Sequence, residues 1–203
     1  MATGPVTQQI VRNQQGTQKP QANVHLSDVE DCLVYDRYGN GIPFGRLYQD
    51  KTSIIVFVKN FLCYTCKEYV EDLAKIPKKS LLSADVRLVL IGQSSHCHIE
   101  IYTTLGMRRG EAFAESASPS PHVRSSMLRG TVGSLWRAMR SPAFDFQGDP
   151  LQQGGAIIAG PGSEVNFAHF DMNRLDHMPI NWLLQLAGVE TVDFSDQPKI
   201  IHV

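Results

Sequence analysis

The spacing of apolar and polar residues separates a polar N-terminal segment from a longer segment with regular secondary-structure signals. Residues 1–23 contain six Gln, together with Gly, Pro, Thr and Asn, and have no periodic apolar positions. A segment of this composition buries too little apolar surface to fold, so we predict a disordered Gln-rich tail. Residues 24–203 carry the apolar periodicity and are predicted to form one domain.

The strongest signals predict a strand, a helix and a second strand in succession. Residues 53–58 (SIIVFV) and 86–92 (VRLVLIG) are apolar and rich in β-branched residues, as in strands that are buried on both faces of a sheet. Between them, apolar residues recur at helical spacing after Cys63, until Pro77 interrupts the pattern. This order predicts two parallel strands that are joined by a right-handed crossover.

Antiparallel elements are predicted on both sides of this unit, as two hairpins. The first joins residues 32–35 to residues 42–44 through a turn at 38–41 (YGNG). The second joins residues 155–159 to residues 164–170. A chain with a parallel pair in its centre and a hairpin after it is expected to form a mixed sheet.

Helices are predicted in the rest of the C-terminal half. Pro179 suits the first turn of a last helix, and Gly188 suits the position just after its end. A weaker helical pattern covers residues 123–139. Taken together, the elements predict an α/β protein with a thioredoxin-like fold, in which helices flank a central mixed sheet.

Composition and charge exclude several classes of function. The 203 residues are 42% hydrophobic, which allows a substantial core, and the formal net charge is −1. Such a balance does not favour electrostatic binding of nucleic acid, and no apolar run approaches the roughly 20 residues that a membrane-spanning helix needs. The N-terminus also lacks the apolar segment of a secretory signal peptide. We therefore expect a cytoplasmic protein without nucleic-acid or membrane partners.

The candidate chemistry is carried by cysteines. In a reducing compartment, paired cysteines are more often catalytic, redox-sensing or metal-binding than structural. Cys63 and Cys66 form a Cys-x-x-Cys motif between the strongest predicted strand and the helix that follows it. The unpaired N–H groups and the dipole at a helix N-terminus favour the thiolate, which is the reactive form of cysteine. We therefore predict that Cys63 and Cys66 are a catalytic redox pair.

Other interpretations of the cysteines stay open. The pair at Cys63 and Cys66 could be chemically inert, or it could bind zinc together with Cys97, which lies between His96 and His98. Zinc sites usually draw each pair of ligands from a tight turn, so a pair that opens a helix fits zinc poorly. We therefore expect no bound metal.

Two further groups of residues have a candidate role. Asp171, Asp176 and His177 have the composition of a carboxylate–histidine site. Because they precede the last predicted helix, we expect them to cap that helix. Trp136 and Trp182 are expected to pack in the core or on the surface of the domain.

A longer segment around the cysteines resembles a known family. Residues 61–77 (FLCYTCKEYVEDLAKIP) closely resemble the peroxiredoxin-like 2 family, in particular its antioxidant AhpC/TSA-domain branch. The resemblance extends from about Leu33 to the C-terminus. Supporting segments are IGQSS at 91–95, LGMRRG at 105–110, FDFQGDP at 144–150, NRLDH at 173–177 and IHV at 201–203. The resemblance implies a thioredoxin fold and thiol-dependent reductase or peroxidase chemistry, and one branch of the family is known for prostaglandin or prostamide reduction.

Two departures from the typical peroxiredoxin pattern argue against an efficient peroxidase. Typical peroxiredoxins carry Pro-x-x-x-Thr-x-x-Cys, but with Cys66 in the last position the Pro position is Lys59 and the Thr position is Cys63. They also place an Arg near the strand that faces the cysteine, where this chain has residues 152–155 (QQGG). A thioredoxin-like dithiol is compatible with both departures. The nucleophile is Cys63 by comparison with thioredoxin and Cys66 by comparison with peroxiredoxin, so this choice stays open.

The chain is also shorter than the family pattern. Between Ile91 and Leu105 the family usually has a helix and then another strand, whereas here only eleven residues follow Gln93 before Leu105. A crossover needs about 10–12 residues before any new strand is counted. One helix and one strand are therefore predicted to be missing from this region.

These observations predict a thiol–disulfide oxidoreductase or peroxiredoxin-like antioxidant protein that uses Cys63 and Cys66. No bound cofactor is expected, because the electrons would come from a partner such as thioredoxin or glutathione. One alternative is a non-enzymatic thioredoxin-fold protein that regulates signalling or metabolism through partner proteins. A further alternative is a prostaglandin-type reductase, as in the related branch of the family.

Overall fold

The computed structural model of the chain describes residues 24–60, 63–93, 100–112, 119–125 and 149–195. The predicted tail, residues 1–23, lies outside the described residues, and so does most of the helix predicted for 123–139. Residues 94–99 are outside as well; they belong to the region between Ile91 and Leu105 where the chain is predicted to be shortened.

The order of helices and strands follows the predicted pattern, with two additions. The elements are β1 (Leu33–Tyr35), β2 (Gly41–Pro43), β3 (Ser53–Val58), α1 (Tyr64–Leu73), α2 (Lys78–Ser83), β4 (Arg87–Gly92), α3 (Glu100–Thr104), β5 (Gly155–Ala159), β6 (Val165–Phe170) and α4 (Ile180–Leu186). Short 3₁₀ helices cover Leu26–Asp28 and Phe44–Leu47. The helices α2 and α3 were not predicted. The first predicted hairpin is confirmed, because β1 and β2 pair antiparallel.

A four-stranded mixed sheet forms the centre of the fold, in the order β4-β3-β5-β6. β3 pairs with β4 in parallel, as the strand–helix–strand pattern predicted. β3 also pairs antiparallel with β5, which pairs antiparallel with β6. The second predicted hairpin is therefore confirmed, and β3 lies in the middle of the sheet with a neighbour on each side.

Alternate side chains of β3 face two different apolar cores, because successive residues of a strand point to opposite faces of the sheet. Ile54, Val56 and Val58 pack on one face against residues of α1 and α4. Ile55 and Phe57 pack on the other face, against Phe44, Tyr48 and Tyr102 among others. A mixed sheet with this strand order and with helices on its faces is a thioredoxin-like fold, as predicted. None of the helices in the described residues is long and apolar enough to cross a membrane.

One glycine fixes how closely the chain approaches the end of β3. A Cβ atom on Gly154 would lie 2.0 Å from the carbonyl oxygen of Phe57, which is far inside any allowed contact. The same position is 3.4 Å from Asp171 Oδ2, and the N–H of Asp171 donates to the Gly154 carbonyl at 3.0 Å. Only glycine therefore allows the segment before β5 to lie against β3, and this contact brings Asp171 close to the end of the central strand.

Candidate active site

Cys63 lies where the chain has left β3 and begins α1. Its backbone is extended, with φ −64° and ψ 128°, and its N–H donates to Asn60 Oδ1 at 2.8 Å. Its carbonyl accepts the first hydrogen bond of the helix, from the N–H of Lys67 at 3.0 Å. Cys63 is therefore the N-cap residue of α1. A side chain in this position stands beside the free N–H groups of the first turn, where a negative charge is favoured.

The two sulfurs of the motif differ in exposure. Cys63 is half-buried, whereas Cys66 is only 2% exposed, and both are free thiols. The hydroxyl oxygen of the fully buried Thr65 lies 3.1 Å from Cys63 Sγ. Cys63 is thus the sulfur that a reactant meets first, and Cys66 lies behind it.

The surroundings also make the two thiols electrostatically different. A hydrogen bond from the Cys66 thiol lowers the pKa of Cys63 to about 5, although burial acts to raise it. The Thr65 hydroxyl and the N–H groups of Thr65 and Cys66 also lower this pKa. The hydrogen bond to Cys63, burial and the charge of Cys63 raise the pKa of Cys66 well above its usual range. At neutral pH, Cys63 is therefore a thiolate and Cys66 a thiol.

An arginine that sequence reasoning did not connect with the cysteines lies near them. Arg174, in the loop after β6, donates to Glu111 from Nε at 2.7 Å and from Nη2 at 3.0 Å. Lys59 Nζ lies 3.5 Å from the same carboxylate. The hydrogen bond to Glu111 raises the pKa of Arg174 against partial burial, and the charges of Glu111 and Cys63 act in the same direction. A cation that residues 152–155 lack therefore occurs in a different loop, where it is paired with Glu111.

Asp171 and His177 form a buried pair and do not cap the last helix. His177 Nδ1 lies 2.7 Å from Asp171 Oδ2, and the two residues are 5% and 2% exposed. The predicted capping role is wrong, because Pro179 holds the N-cap position of α4 and no side chain caps it. The third residue of this group, Asp176, instead accepts the N–H of Met172 at 2.9 Å.

The charges around His177 favour its protonated form. Burial alone would lower the pKa of His177, but the charge and hydrogen bond of Asp171 raise it above its usual value of 6.5. The charges of the Cys63 thiolate and of Asp176 act in the same direction as Asp171. The charge of Cys63 therefore contributes to the pKa of His177.

A second carboxylate–histidine pair also contacts Tyr69. His122 Nδ1 lies 2.8 Å from Asp72 Oδ2, and His122 Nε2 accepts the N–H of Ile180 at 3.1 Å. Because an amide N–H can only donate, Nε2 carries no proton and the ring is held in the neutral form. Burial lowers the pKa of His122 in spite of Asp72. The ring centroid of Tyr69 is 5.4 Å from that of His122 and 4.9 Å from that of His177.

The remaining candidates of the sequence analysis lie elsewhere. Another cysteine, Cys32, lies outside the motif and packs against the core on the opposite face of the sheet, where burial, Glu100 and Asp31 raise its pKa. Cys97, His96, His98 and Trp136 are outside the described residues, so the zinc hypothesis stays untested there. Within the described part of the chain, no group of three or more His, Cys, Asp or Glu residues is arranged to hold a metal ion. Trp182 lies on the surface and is 54% exposed.

The fold and the position of Cys63 define a thioredoxin-fold protein of the peroxiredoxin-like type. The chain belongs to the peroxiredoxin-like 2 family. It is 54% identical over 221 aligned positions to Peroxiredoxin-like 2C of Takifugu rubripes, covering 98% of this chain and 97% of the relative. It is 50% identical over 194 positions to Peroxiredoxin-like 2C of Homo sapiens, covering 86% of this chain and 85% of that relative. No protein-family model matches the chain, and no solved structure matches it significantly.

A more distant relative carries a different name. The chain is 26% identical over 200 positions to a protein of Xenopus tropicalis named Prostamide/prostaglandin F synthase, covering 88% of this chain and 96% of the relative. The alignment with the Takifugu relative is longer than this chain, so that relative contains residues with no counterpart here. This agrees with a shortened chain. The location of the gap between Ile91 and Leu105 stays a prediction.

Proposed function

We propose that this protein is a cytoplasmic thiol–disulfide oxidoreductase in which Cys63 is the nucleophile and Cys66 resolves the intermediate. The observation that carries the proposal is the asymmetry of the pair. Cys63 is the more exposed sulfur and is held as a thiolate, whereas Cys66 is buried behind it and keeps its proton. This is the arrangement that stepwise thiol–disulfide exchange requires.

The proposed reaction has two steps. The Cys63 thiolate attacks one sulfur of a substrate disulfide, so that a mixed disulfide forms and the other substrate sulfur leaves as a thiolate. Cys66 then loses its proton and attacks Cys63 Sγ, which forms the Cys63–Cys66 disulfide and releases the second substrate thiol. The substrate gains two electrons and the cysteine pair loses them.

The second step needs Cys66 to ionise in a buried position. The N–H groups of Asn60 and Lys59, just after β3, lower the pKa of Cys66 against the larger opposing effects. They therefore stabilise negative charge on Cys66 at the moment it attacks. We propose that thioredoxin or glutathione returns the pair to its dithiol form, so that no resident cofactor is needed.

Reduction of a peroxide is a second candidate, which Thr65 and Arg174 favour. The Thr65 hydroxyl contacts Cys63 Sγ, and the Arg174 charge is near enough to Cys63 to be coupled to it. In this reaction the Cys63 thiolate attacks the peroxide, which leaves a sulfenic acid on Cys63 and an alcohol or water. Cys66 condenses with the sulfenic acid to form the disulfide and releases one water molecule.

The name of the Xenopus tropicalis relative extends this candidate to a prostaglandin-type substrate. Such a substrate would be reduced by the same pair, since Cys63 is the accessible thiolate of the site. A disulfide substrate, hydrogen peroxide and a prostaglandin-type substrate can therefore be compared as substrates of one purified protein. Each is expected to leave the Cys63–Cys66 disulfide as the oxidised product.

The test follows the cysteines by alkylation and mass spectrometry after graded treatment with peroxide, oxidised glutathione and dithiothreitol. We expect a Cys63–Cys66 disulfide that forms and is reduced reversibly. Cys63→Ser and Cys66→Ser should each abolish turnover, and Cys32→Ser, on the opposite face of the sheet, should not. A pair that stays reduced with every oxidant would contradict the proposal and would favour the alternative of a non-enzymatic interaction protein.

A further inference from the structure

β4 lies at an edge of the sheet but has the sequence of a central strand. Its residues (RLVLIG) contain no charged side chain after Arg87 and no proline. All six residues of β3 are buried, whereas all six residues of β4 are only half-buried. Among the described residues, β4 pairs with β3 alone. An unpaired strand edge presents N–H and C=O groups that can pair with a strand of another chain.

The opposite edge of the sheet, formed by β6, is protected against such pairing. Polar side chains and irregular pairing keep an edge strand from joining another chain. In β6, Asn166 is exposed and His169 is polar, and the pairing with β5 shifts register between Ile158 and Ala159. The pairing of β4 with β3 is regular through all six residues, so β4 has neither protection.

The register of β4 shows which of its main-chain groups face the open edge. The N–H of Arg87 donates to the Thr52 carbonyl at 2.9 Å, so the main-chain groups of Arg87 point toward β3. Because these groups alternate in direction along a strand, those of Leu88, Leu90 and Gly92 point away from β3. Within the described ranges, no hydrogen bond joins the main chain of these three residues to another segment.

We propose that the open edge of β4 binds the β4 edge of a second copy of this chain, so that two four-stranded sheets join into one continuous sheet. The two strands run antiparallel about a two-fold axis, the symmetry of most homodimers. This interface lies at the edge of the sheet and does not depend on the chemistry of Cys63 and Cys66, so it goes beyond the proposed function.

One register satisfies the outward main-chain groups of both copies. In an antiparallel pair, residues that face the partner strand must lie opposite residues that also face it. Leu90 is then opposite its own counterpart, and Leu88 is opposite Gly92 of the second copy. This arrangement forms about six main-chain hydrogen bonds. It also places Val89 opposite Ile91 of the second copy, so that every cross-strand pair in the overlap is apolar or contains glycine.

The side chains of β4 favour a second copy over an unrelated extended peptide. Leu88 and Leu90 pack at the rim of the core that contains α1 and α4, and Val89 and Ile91 pack at the rim of the other core. A second copy brings the same two apolar rims, which cover these half-buried side chains on both faces of the joined sheet. A single peptide strand brings main-chain hydrogen bonds without two such layers.

The charges on the chain also allow two copies to approach. The charge at the start of β4 is already paired, because Arg87 Nη1 and Nη2 donate to Asp50 Oδ1 and Oδ2 at 2.9 and 2.8 Å. The formal net charge of the whole chain is only −1, so long-range repulsion between copies is weak.

The first test introduces like charges at the centre of the interface. Leu90→Lys places two lysines opposite each other across the two-fold axis, where like charges are strongly unfavourable. We expect the unmodified protein to form a dimer in sedimentation velocity, and Leu90→Lys to raise the dissociation constant by about tenfold or more. The matched control is Asn166→Lys, which adds the same charge to the other edge of the sheet and should leave the dimer unchanged. Circular dichroism confirms that both variants are folded.

The second test uses the unmodified protein and does not depend on how a variant folds. Nuclear magnetic resonance follows hydrogen exchange at single amides of β4 across a dilution series of the protein. The amides of Leu88, Leu90 and Gly92 should be protected in the dimer and should exchange faster as it dissociates. The amides of Val89 and Ile91, which point toward β3, should be protected at every concentration.

Three outcomes would overturn the inference. The first is a protein that is monomeric at every concentration, whether or not the outward amides are protected. The second is a dimer in which the amides of Leu88 and Leu90 exchange as fast as in the monomer, because that dimer would use another surface. The third is an equal loss of the dimer in Leu90→Lys and Asn166→Lys.

Discussion

The contact between Thr65 and Cys63 allows a quantitative test of how the thiolate is stabilised. Thr65 is fully buried, and its hydroxyl oxygen lies 3.1 Å from Cys63 Sγ. Thr65→Val keeps the shape of the side chain but removes the hydroxyl. The hydrogen bonds from the Cys66 thiol and from the N–H groups of residues 65 and 66 remain. The stabilisation of the Cys63 thiolate should therefore decrease but not disappear.

The expected magnitude follows from the energy of one charged hydrogen bond. Such a bond contributes about 1.5–3 kcal/mol, and one pKa unit corresponds to about 1.4 kcal/mol. The lower end of that range corresponds to about one pKa unit, so the pKa of Cys63 should rise from about 5 by roughly one unit or more. The intrinsic reactivity of a thiolate increases by about threefold for each unit that its pKa rises. The rate of alkylation should thus fall at acidic pH but reach a plateau about threefold higher near neutral pH.

The assay is the rate of alkylation of Cys63 as a function of pH, with the thiolate absorbance measured on the same samples. Thr65→Ser is the control, because it keeps the hydroxyl and should keep a midpoint close to that of the unmodified protein. If Thr65→Val and Thr65→Ser had the same midpoint as the unmodified protein, the hydroxyl would not stabilise the thiolate. The reasoning about Thr65 would then be refuted.

Three further predictions concern residues around the site. Arg174→Gln removes a nearby positive charge and should raise the pKa of Cys63 in the same titration; an unchanged pKa would show that Glu111 already neutralises the arginine. Burial acts to raise the pKa of Asp72, but hydrogen bonds from His122 and Lys75 outweigh burial and lower this pKa. Asp72→Asn should therefore destabilise the protein most at neutral pH. That difference in unfolding free energy should shrink as the pH falls below about 4; a difference that is equal at pH 7 and pH 3 would contradict it. Gly154→Ala places a Cβ 2.0 Å from the Phe57 carbonyl and should cost about 1–3 kcal/mol or more in denaturant unfolding. Gly41→Ala, where the nearest atom is 3.4 Å away, is its control and should cost far less.

The strands could be predicted from the sequence because their burial leaves a strong local signal. The predicted strand at residues 53–58 coincides with β3, and all six of its residues are buried between two cores. The predicted strand at 86–92 differs from β4 by one residue. The helix α2 was missed because Lys78–Ser83 buries no side chain, so it has no apolar stripe by which a helix is recognised.

The cysteine site was predictable only in part, because the three residues grouped with it here come from a distant part of the chain. Cys63 and Cys66 lie at the end of a strongly marked strand, so their place at the start of a helix follows from local sequence. Asp171, Arg174 and His177 lie more than 100 residues later. Their position depends on the close contact between Gly154 and Phe57 and on the turn after β6, which no local pattern reveals. The NRLDH segment at 173–177 contributed to the family resemblance. Because it precedes the last predicted helix, Asp176 and His177 were expected to cap that helix.

Typical peroxiredoxins place a threonine hydroxyl and an arginine beside their cysteine, and both groups occur here at different sequence positions. In the peroxiredoxin pattern the threonine precedes the cysteine by three residues, whereas here Thr65 follows Cys63 by two. Both positions lie close to the sulfur, because the residues of the first helical turn surround its N-terminus. The arginine likewise comes from the loop after β6 and not from the start of β5, yet its charge is coupled to Cys63. The peroxiredoxin sequence pattern is absent with either cysteine in the last position, because aligning Cys63 there places Asn60 at the threonine position. The Thr65 hydroxyl contacts Cys63 and the Arg174 charge is coupled to it, which adds to the asymmetry of the cysteine pair as support for the proposal that Cys63 is the nucleophile.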